Sequence, residues 1–286
     1  MNNIHKTAII HPNVILGDFN VIGRNVEIII SSENSSSCSI IIGDNNTIAD
    51  NTRIIVTNGE FTLGDWNVIH NNCLLLIGSK FEIKNNCWIG QSSVLDGTGG
   101  LSLGNGVRIG MHSQVWSHAV SGELIEGCKL FVKQETILCD DVWLVGSCLV
   151  SSGVTLEKRV IALLGSVINS DFPANSVISG NPAQIRKGIK LYGKISVDKK
   201  FLMMLDWCKD FVKNNIEYTI DNLDPNCIKI IGDKDILNVV KFKPEFLNNN
   251  ETYFIIEDKT MIKKNTILER KLYKFLFAHK ARFNPL

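Results

Sequence analysis

Two histidines six positions apart are the side chains of this sequence best suited to acid–base chemistry. They are His112 and His118, in the segment 110–120, which reads GMHSQVWSHAV. A neutral imidazole can take the proton of a hydroxyl group while that hydroxyl attacks a carbonyl carbon, so either histidine is a candidate general base. The alternative for each is a purely structural role at a corner of the chain.

The composition is ordinary for a globular protein and narrows the range of partners. The 286 residues include 30 basic and 29 acidic side chains, so the chain lacks the basic surplus that nucleic-acid phosphates require. The eight cysteines form no Cys-x-x-Cys pair, which favours a reducing compartment. The N-terminus lacks a signal-peptide pattern, and no apolar run reaches the ~18 residues of a membrane span. We expect a cytoplasmic protein with no nucleic-acid partner.

An aliphatic residue recurs at every sixth position through most of the first 173 residues. The pattern begins at Ile4, and between Leu138 and Pro173 it runs without a slip. A helix would repeat its apolar residues every three or four positions and a plain strand every two. The first residues of the other hexads are Ile10, Leu16, Ile22, Ile42, Ile48, Leu63, Ile69, Ile83, Ile89, Leu103, Ile109 and Val115.

This period predicts a parallel β-helix. Each hexad is expected to be a short strand and a corner, and Gly, Asn or Asp after the leading aliphatic residue tolerates positive φ. Three hexads make one triangular coil, and the repeat predicts roughly nine coils at the usual strand spacing. The register breaks at 30–41, 55–62, 77–82 and 95–102 are interpreted as loops or shifted coils, and the polar stretch 31–39 as the most flexible.

The second half of the repeat resembles the hexapeptide-repeat acyltransferases, of the galactoside and maltose acetyltransferase and polysaccharide O-acetyltransferase type. The resemblance covers 109–189 closely and 4–108 through the repeat alone. It is carried by DVWL at 141–144, by NSDFPAN at 169–175 and above all by SGNPAQI at 179–185, which looks like the closing signature of the family. It implies an all-β fold, a left-handed parallel β-helix of hexapeptide repeats.

The resemblance also implies which residue acts as the base. In the family the catalytic histidine lies some two dozen residues before the tryptophan, and His118 stands in that relation to Trp143. An active-site loop is expected at about 119–137, where the hexads are interrupted. Glu123 or Glu126 is a candidate to orient the imidazole, and solvation in the loop is the alternative for both.

Acetyl-CoA is the co-substrate that the resemblance implies, bound in a groove between adjacent subunits of a homotrimer. Val145 stands where the family usually has glycine, and Leu163-Leu164-Gly165 stands where it has Gly-Ala-Gly, so the wall is bulkier. Trp116 and Trp143 are candidates for an aromatic wall against a sugar ring, with core packing as the alternative. The cofactor-binding residues carried over from the family are Trp143, Gly146, Leu164, Asn169, Lys187, Gly180, Asn181 and Pro182.

A zinc site is the competing interpretation of the histidines. Some proteins with this repeat resemble γ-class carbonic anhydrases, which hold zinc with two histidines five residues apart and a third upstream. Here His112 and His118 are six apart, and His70 is the only plausible third ligand. Three ring nitrogens would have to converge at about 2.0–2.1 Å from the metal, so we predict no metal.

A change in composition after Lys190 predicts a domain boundary. The predicted domains are a β-helix acyltransferase domain at 1–190 and a small α+β domain at 191–286. Asp198 is expected to cap a helix whose apolar face holds Phe201, Leu205, Cys208 and Val212. Strands are expected at 216–220, 228–231 and 253–257, and a second helix in ILERKLYKFLF. The basic, aromatic C-terminus leaves peripheral membrane contact open beside an ordinary amphipathic helix.

The function predicted from these features is acetyl-CoA-dependent O-acetylation of a carbohydrate hydroxyl, in a surface polysaccharide, capsule or lipopolysaccharide sugar. His118 is the predicted catalytic residue. The alternatives are N-acetylation of an amino sugar nucleotide, which shares the fold and the donor, and a β-helical scaffold protein without catalysis.

Overall fold

The computed structural model describes residues 1–31, 38–120, 122–221 and 224–286. These fall into two compact units, Met1–Tyr192 and Gly193–Leu286. We call the first the prism and the second the C-terminal unit. The division into domains at 1–190 and 191–286 stays a prediction. Most of the stretch expected to be flexible, 31–39, lies outside the described residues.

The prism is built from three sheets, A, B and C, which the chain visits in turn. Sheet A has ten strands, sheet B eight and sheet C seven. Nine strands of sheet A are parallel, and its last pair, Val177–Gly180 with Ala183–Ile185, is antiparallel. The predicted fold class is confirmed: a parallel β-helix of hexapeptide repeats, followed by a small α+β part.

The strands of the three sheets are as follows. Sheet A contains Asn3–Ile4, Val21–Ile22, Thr47–Ile48, Val68–Ile69, Trp88–Ile89, Arg108–Ile109, Trp143–Leu144, Ile161–Ala162, Val177–Gly180 and Ala183–Ile185. Sheet B contains Ile9–Ile10, Glu27–Ile30, Arg53–Val56, Leu74–Ile77, Val94–Gly97, Gln114–Val115, Leu149–Val150 and Val167–Ile168. Sheet C contains Val14–Leu16, Ser39–Ile42, Glu60–Leu63, Phe81–Ile83, Leu101–Leu103, Thr136–Leu138 and Thr155–Leu156.

The leading aliphatic residues fill the interior of the prism. From Ile22 to Ile168 they are buried in one continuous cluster, joined by the rings of Phe61 and Phe81. The breaks at 55–62, 77–82 and 95–102 are coils whose strands in sheets B and C are longer than the usual pair of residues. They are therefore shifted coils and not loops.

Positive φ occurs at the third residue after the lead, not directly after it. Asn45 follows Ile42 in this way with a φ of 58°, and Asn72 follows Ile69 with a φ of 61°. The glycine next to the lead has another reason, which corrects the sequence interpretation. A Cβ at Gly43 would lie 2.2 Å from Asp65 Oδ1 of the next coil, so this position needs space and not conformational freedom.

Buried asparagines connect successive coils at one corner. Asn46 Oδ1 accepts a hydrogen bond from the backbone N–H of Asn67 at 2.8 Å, and the N–H of Asn46 donates to Asn20 Oδ1 at 2.8 Å. Asn67 Oδ1 in turn accepts from the N–H of Cys87. This ladder satisfies backbone donors that the corner removes from water.

The C-terminal unit has one sheet of six strands and two helices. The strands, in sheet order, are Thr219–Asp221, Cys227–Ile231, Ile236–Val240, Thr252–Ile255, Thr260–Ile262 and Asn284–Pro285. The helices are α1 (Val197–Asn214) and α2 (Ile267–Ala278). None of the helices in the described ranges is long and apolar enough to cross a membrane.

Two details of α1 differ from the prediction. Ser196 caps the helix, because its Oγ accepts from the Lys199 N–H at 3.2 Å, whereas the Asp198 carboxylate pairs with Lys241 Nζ at 2.6 Å. The predicted apolar face of α1 is wrong at two of its four positions, because Met204 and Phe211 are buried where Leu205 and Val212 were expected. Its buried residues are Phe201, Met204, Cys208 and Phe211.

The asparagine ladder makes a prediction about stability. Asn46→Ala removes the acceptor of the Asn67 N–H in a buried corner, so we expect the free energy of unfolding to fall by about 1–3 kcal/mol. Urea unfolding followed by circular dichroism measures this change. Asn13→Ala, at an exposed position, is the control and should leave the midpoint unchanged. Equal midpoints for the Asn46 variant and the wild type would show that the ladder contributes nothing.

Candidate active site

The hexads are interrupted between sheets B and C by an inserted hairpin. The chain leaves the prism after Gln114–Val115 and returns at Thr136–Leu138. Between them His118–Ala119 pairs antiparallel with Val132–Lys133, and a 3-10 helix spans Leu124–Glu126. We call 118–133 the insertion hairpin. His118 is its first residue and therefore lies against the prism.

Hydrogen bonds fix the base of the insertion hairpin to the prism. The Ser117 hydroxyl accepts from the Gly99 N–H at 2.8 Å, and the Ser117 carbonyl accepts from the Gln134 N–H at 3.0 Å. Thr136 Oγ1 donates to the Trp116 carbonyl at 2.7 Å. A Cβ at Gly99 would lie 2.1 Å from the Ser117 carbonyl oxygen, so glycine is needed there for this close approach.

Asp96 of the preceding coil holds the imidazole of His118. The distance from His118 Nδ1 to Asp96 Oδ2 is 2.6 Å. The Asp96 side chain is fully buried, while that of His118 is 31% exposed. The same carboxylate accepts from Thr98 Oγ1 at 2.6 Å and from the Ser117 N–H at 3.1 Å. A buried carboxylate with this many donors is a rigid anchor for the ring.

Two opposing effects set the pKa of Asp96. Burial by itself raises the pKa of this carboxyl, but the hydrogen bonds from Thr98, His118 and Ser117 outweigh it, so the pKa is lowered below its usual value. Asp96 is therefore ionised at neutral pH. The contribution of these bonds to stability is present above the ordinary carboxyl pKa and is lost as the pH falls through the lowered one.

The ionised carboxylate determines which ring nitrogen carries the proton. A carboxylate only accepts hydrogen bonds, so Nδ1 of His118 must be the donor in this pair. In the neutral ring, Nε2 then keeps its lone pair. Nε2 can therefore accept a proton, while Nδ1 is held by Asp96.

His112 and the loop glutamates stand elsewhere. His112 is an exposed corner residue with a φ of 58°, at the third position after the lead Ile109. This is the structural role that the sequence left open for it. Glu123 and Glu126 are exposed in the insertion hairpin, and the hydrogen-bond partner found for the imidazole is Asp96.

Asp96 was not among the residues predicted from the sequence, although the sequence contains a signal for it. Asp96 pairs in register with Leu76 of the neighbouring strand of sheet B. Leu76 pairs with Ile55, and Ile55 pairs with Ile29, in the coils before it. Three aliphatic side chains on one face of sheet B are thus followed by a carboxylate. The change is visible in the segments EIII, RIIV, LLLI and VLDG once the shifted coils are aligned.

A groove of about 610 Å³ lies beside His118 on the face of sheet B. Its walls are mostly apolar. The ring centroid of Trp116 is 6.4 Å from that of His118, and Trp116 Nε1 donates to Gln114 Oε1 at 3.1 Å. The lining residues are Gln114, Trp116, His118, Ala119, Val120, Leu130, Val132, Leu149, Val150, Ser151, Ser152 and Val167.

Trp143 lies on a different face from this groove. It belongs to sheet A, between Arg108 and Ile161 in the ladder, and 43% of it is exposed. Of the two tryptophans predicted to contact a sugar, the structure therefore brings Trp116 to His118 and leaves Trp143 on sheet A.

The other residues predicted to bind the donor are spread over the last coils. Gly146 and Leu164 occupy the same corner, between sheets A and B, in successive coils, and the Gly146 carbonyl accepts from the Gly165 N–H at 3.0 Å. Leu164 is 71% exposed and its Cδ1 lies 3.2 Å from where a Cβ on Gly146 would be, so it covers that glycine. Asn169 and Lys187 are exposed, as are Asn181 and Pro182, whereas Gly180 is half-buried.

The histidines considered for zinc are in separate environments. The ring of His70 packs edge-on against Trp88 at 4.9 Å, and burial lowers its pKa. Within 1–31, 38–120, 122–221 and 224–286, no group of three or more His, Cys, Asp or Glu side chains is placed to hold a metal ion.

No family model matches the chain. Among solved structures, the polysialic acid O-acetyltransferase OatWY is similar to it, with 20% sequence identity and a TM-score of 0.44 over 71% of this chain and 97% of that one. A hexapeptide-repeat acetyltransferase from Vibrio cholerae with acetyl-coenzyme A has 18% identity and a TM-score of 0.32, over 63% of this chain and 72% of that one.

An N-acyltransferase from Bacillus cereus, AntD, is also similar, with 14% identity and a TM-score of 0.33, over 74% of this chain and 91% of that one. With TM-scores below 0.5, none of these similarities assigns an activity to this chain.

Proposed function

We propose that this protein is an acetyl-CoA-dependent O-acetyltransferase that acts on a hydroxyl group of a carbohydrate. The observation that carries the proposal is the pair of Asp96 and His118, with a 2.6 Å hydrogen bond at Nδ1 and a partly exposed imidazole that lines a groove. The resemblance of 109–189 to the hexapeptide-repeat acyltransferases supplies the reaction class.

His118 acts as a general base in this mechanism. Its Nε2 takes the proton of the acceptor hydroxyl as the oxygen forms a bond with the thioester carbonyl carbon. The carbon–sulfur bond breaks, and the proton passes from Nε2 to the leaving thiolate sulfur. Asp96 remains ionised throughout and stabilises the imidazolium that forms between the two proton transfers.

The groove beside His118 is suited to the thioester end of the acyl donor. The groove has mostly apolar walls, which suit a pantetheine arm, and Ser151 and Ser152 add polar groups to its lining. We propose that the remainder of acetyl-CoA binds to the residues carried over from the family. Lys187 would supply a positive charge for a phosphate, and the exposed Leu164 would form a bulky part of the wall.

The acceptor is proposed from the chemistry of the site. A sugar ring offers hydroxyl groups for His118 and an apolar face for the ring of Trp116, and stacking on an aromatic ring is a common way to hold it. From the resemblance to the polysaccharide O-acetyltransferase type, we propose a sugar of a surface polysaccharide, capsule or lipopolysaccharide as the acceptor and the cytoplasm as the place of reaction.

We further propose that the active unit is a homotrimer with its sites between subunits. His118 borders sheet B and Trp143 stands on sheet A, so one chain does not bring them together. In a closed ring of subunits, sheet B of one subunit faces another surface of its neighbour, and the partner subunit's Trp143 can then complete the groove.

Matched substitutions of the two histidines test the catalytic assignment. Because the base is lost, His118→Asn should lower kcat by about 10²–10⁴-fold. The control is His112→Asn, which replaces the exposed corner histidine by a residue that tolerates positive φ and should leave kcat within about twofold. The assay incubates acetyl-CoA with glycans and amino sugar nucleotides and detects one added acetyl group by mass spectrometry.

The product also distinguishes the alternatives. An ester on the glycan supports the proposal, whereas an amide would establish an N-acetyltransferase. Full turnover by His118→Asn would remove His118 from its role. Absence of any coenzyme A binding by the wild type would favour a scaffold.

A mixing experiment tests the shared site. His118→Ala and Trp143→Ala variants should each be inactive alone, because each lacks one half of every groove. Co-expressed, they should form mixed trimers in which some grooves pair an intact His118 with an intact Trp143, so part of the activity returns. Mixed trimers that are shown by mass spectrometry to form but have no activity would contradict the proposal.

A further inference from the structure

The groove of the candidate active site contains one glutamine that the fold does not require. Gln114 lies in sheet B, where its neighbours in the ladder are Val94 and Leu149. The other members of this outward-facing row are apolar, and the row reads Leu74, Val94, Gln114, Leu149 and Val167. An apolar side chain would pack at this half-buried position equally well, so the amide itself needs a reason.

A hydrogen bond from Trp116 determines how the amide of Gln114 is oriented. Trp116 Nε1 donates to Gln114 Oε1 at 3.1 Å. An indole N–H can only donate, so the oxygen of the amide must be the atom that faces it. None of the described residues accepts a hydrogen bond from Gln114 Nε2. Gln114 therefore offers two N–H donors to a ligand, while its oxygen is already occupied.

The charge of the lining narrows the groups that these donors can meet. Among the described residues that line the groove, His118 is the one ionisable side chain, and none is Lys or Arg. A carboxylate or phosphate that enters the groove would lose water without gaining a cationic partner from this lining. An uncharged oxygen acceptor loses much less on leaving water, so the lining favours a neutral group beside Gln114.

An apolar surface adjoins the two donors. Leu149 is the register partner of Gln114, is 39% exposed and lines the same groove. Register partners in neighbouring strands lie about 4.8 Å apart. An acetamido group has the matching two parts, because its carbonyl oxygen accepts hydrogen bonds and its methyl group is apolar.

We propose that the acceptor sugar carries an N-acetyl group and that Gln114 is the specificity-determining residue that recognises it. Nε2 of Gln114 donates to the acetamido oxygen, the methyl group contacts Leu149, and the sugar ring lies against Trp116 with a hydroxyl toward His118. This inference rests on the proposed function and names its substrate class. A free amine in place of the acetamido group is disfavoured, because an ammonium offers donors to the donors of Gln114.

Binding experiments with the full chain test the recognition without requiring acetyl transfer. The probes are tetra-N-acetylchitotetraose, its deacetylated form, maltotetraose and tetragalacturonate. Calorimetry gives the affinities, and NMR of the ¹⁵N-labelled protein follows the side-chain amide of Gln114 and the indole N–H of Trp116. The N-acetylated probe should shift both signals and bind at least about tenfold more tightly than the other three, because it alone brings a neutral carbonyl oxygen to Gln114.

One variant separates the donors from the rest of the side chain. Gln114→Glu keeps an oxygen that accepts from Trp116 Nε1 and removes both N–H donors. It should weaken the binding of tetra-N-acetylchitotetraose by about tenfold or more. In the acetyl-transfer assay its KM for an N-acetylated glycan should rise, while its KM for acetyl-CoA stays the same. The control is Gln91→Glu, the same change at a corner outside the groove lining, which should alter neither value.

The possible results separate this inference from the proposed function. Equal affinity for the N-acetylated and deacetylated probes, tighter binding of tetragalacturonate, or no binding of any probe would each overturn the inference. Undiminished binding by Gln114→Glu would do the same. Acetyl transfer to a glycan without N-acetyl groups, with an unchanged KM in Gln114→Glu, would refute the inference and leave the proposed function standing. Selective binding of the N-acetylated probe without any acetyl transfer would refute the proposed function instead.

Discussion

The corner of each hexad is the constraint on which the prism depends. At most corners the third residue after the leading aliphatic side chain adopts a left-handed backbone conformation, from Phe19 near the start to Gly165 in the last coils. This turn brings the chain back to a short strand, so that the next lead faces the interior and its backbone pairs with the coils on either side. Most of the sequence pattern follows from this geometry. Asparagine is frequent at the corner because its side chain tolerates positive φ. The lead is aliphatic because, from Ile22 to Ile168, it is buried in the interior.

The candidate active site is a local departure from this regular pattern. His112 obeys the repeat and stands at a corner, whereas His118, six residues later, begins an inserted hairpin instead. Because His118 does not adopt the corner conformation, its ring can contact Asp96 in the preceding coil. The three coils before that one have an aliphatic residue at the position of Asp96. Gly99 lets the base of the hairpin approach closely, and Ser117 and Thr98 complete the donors around the carboxylate. These hydrogen bonds and the surrounding packing hold the His118 ring in one orientation, which a general base requires.

The features that depend on the six-residue repeat could be predicted from the sequence. The contacts that depend on the register between coils could not. The period of six was sufficient to predict the parallel β-helix and the buried leads, because each coil repeats the same local choice. An interruption of the hexads was predicted at about 119–137, and the insertion hairpin occupies 118–133. Asp96 was not predicted, because its relation to His118 emerges only when the shifted coils are aligned across 22 residues. The glycines beside the leads were assigned to positive φ, whereas Gly43 shows that they make room for the next coil. In the C-terminal unit no repeat exists, so the strands Ile236–Val240 and Thr260–Ile262 and the cap Ser196 could not be predicted from pattern alone.

The protonation state of His118 is the most direct test of the central claim, which is that Asp96 fixes the imidazole and leaves Nε2 as the base. Long-range nitrogen–proton NMR of the ¹⁵N-labelled protein distinguishes the two neutral tautomers. In the wild type, we predict that the neutral ring carries its proton on Nδ1. In Asp96→Asn the amide can donate to Nδ1, so the proton should move to Nε2. A wild-type ring protonated at Nε2, or a tautomer unchanged by the substitution, would contradict the account.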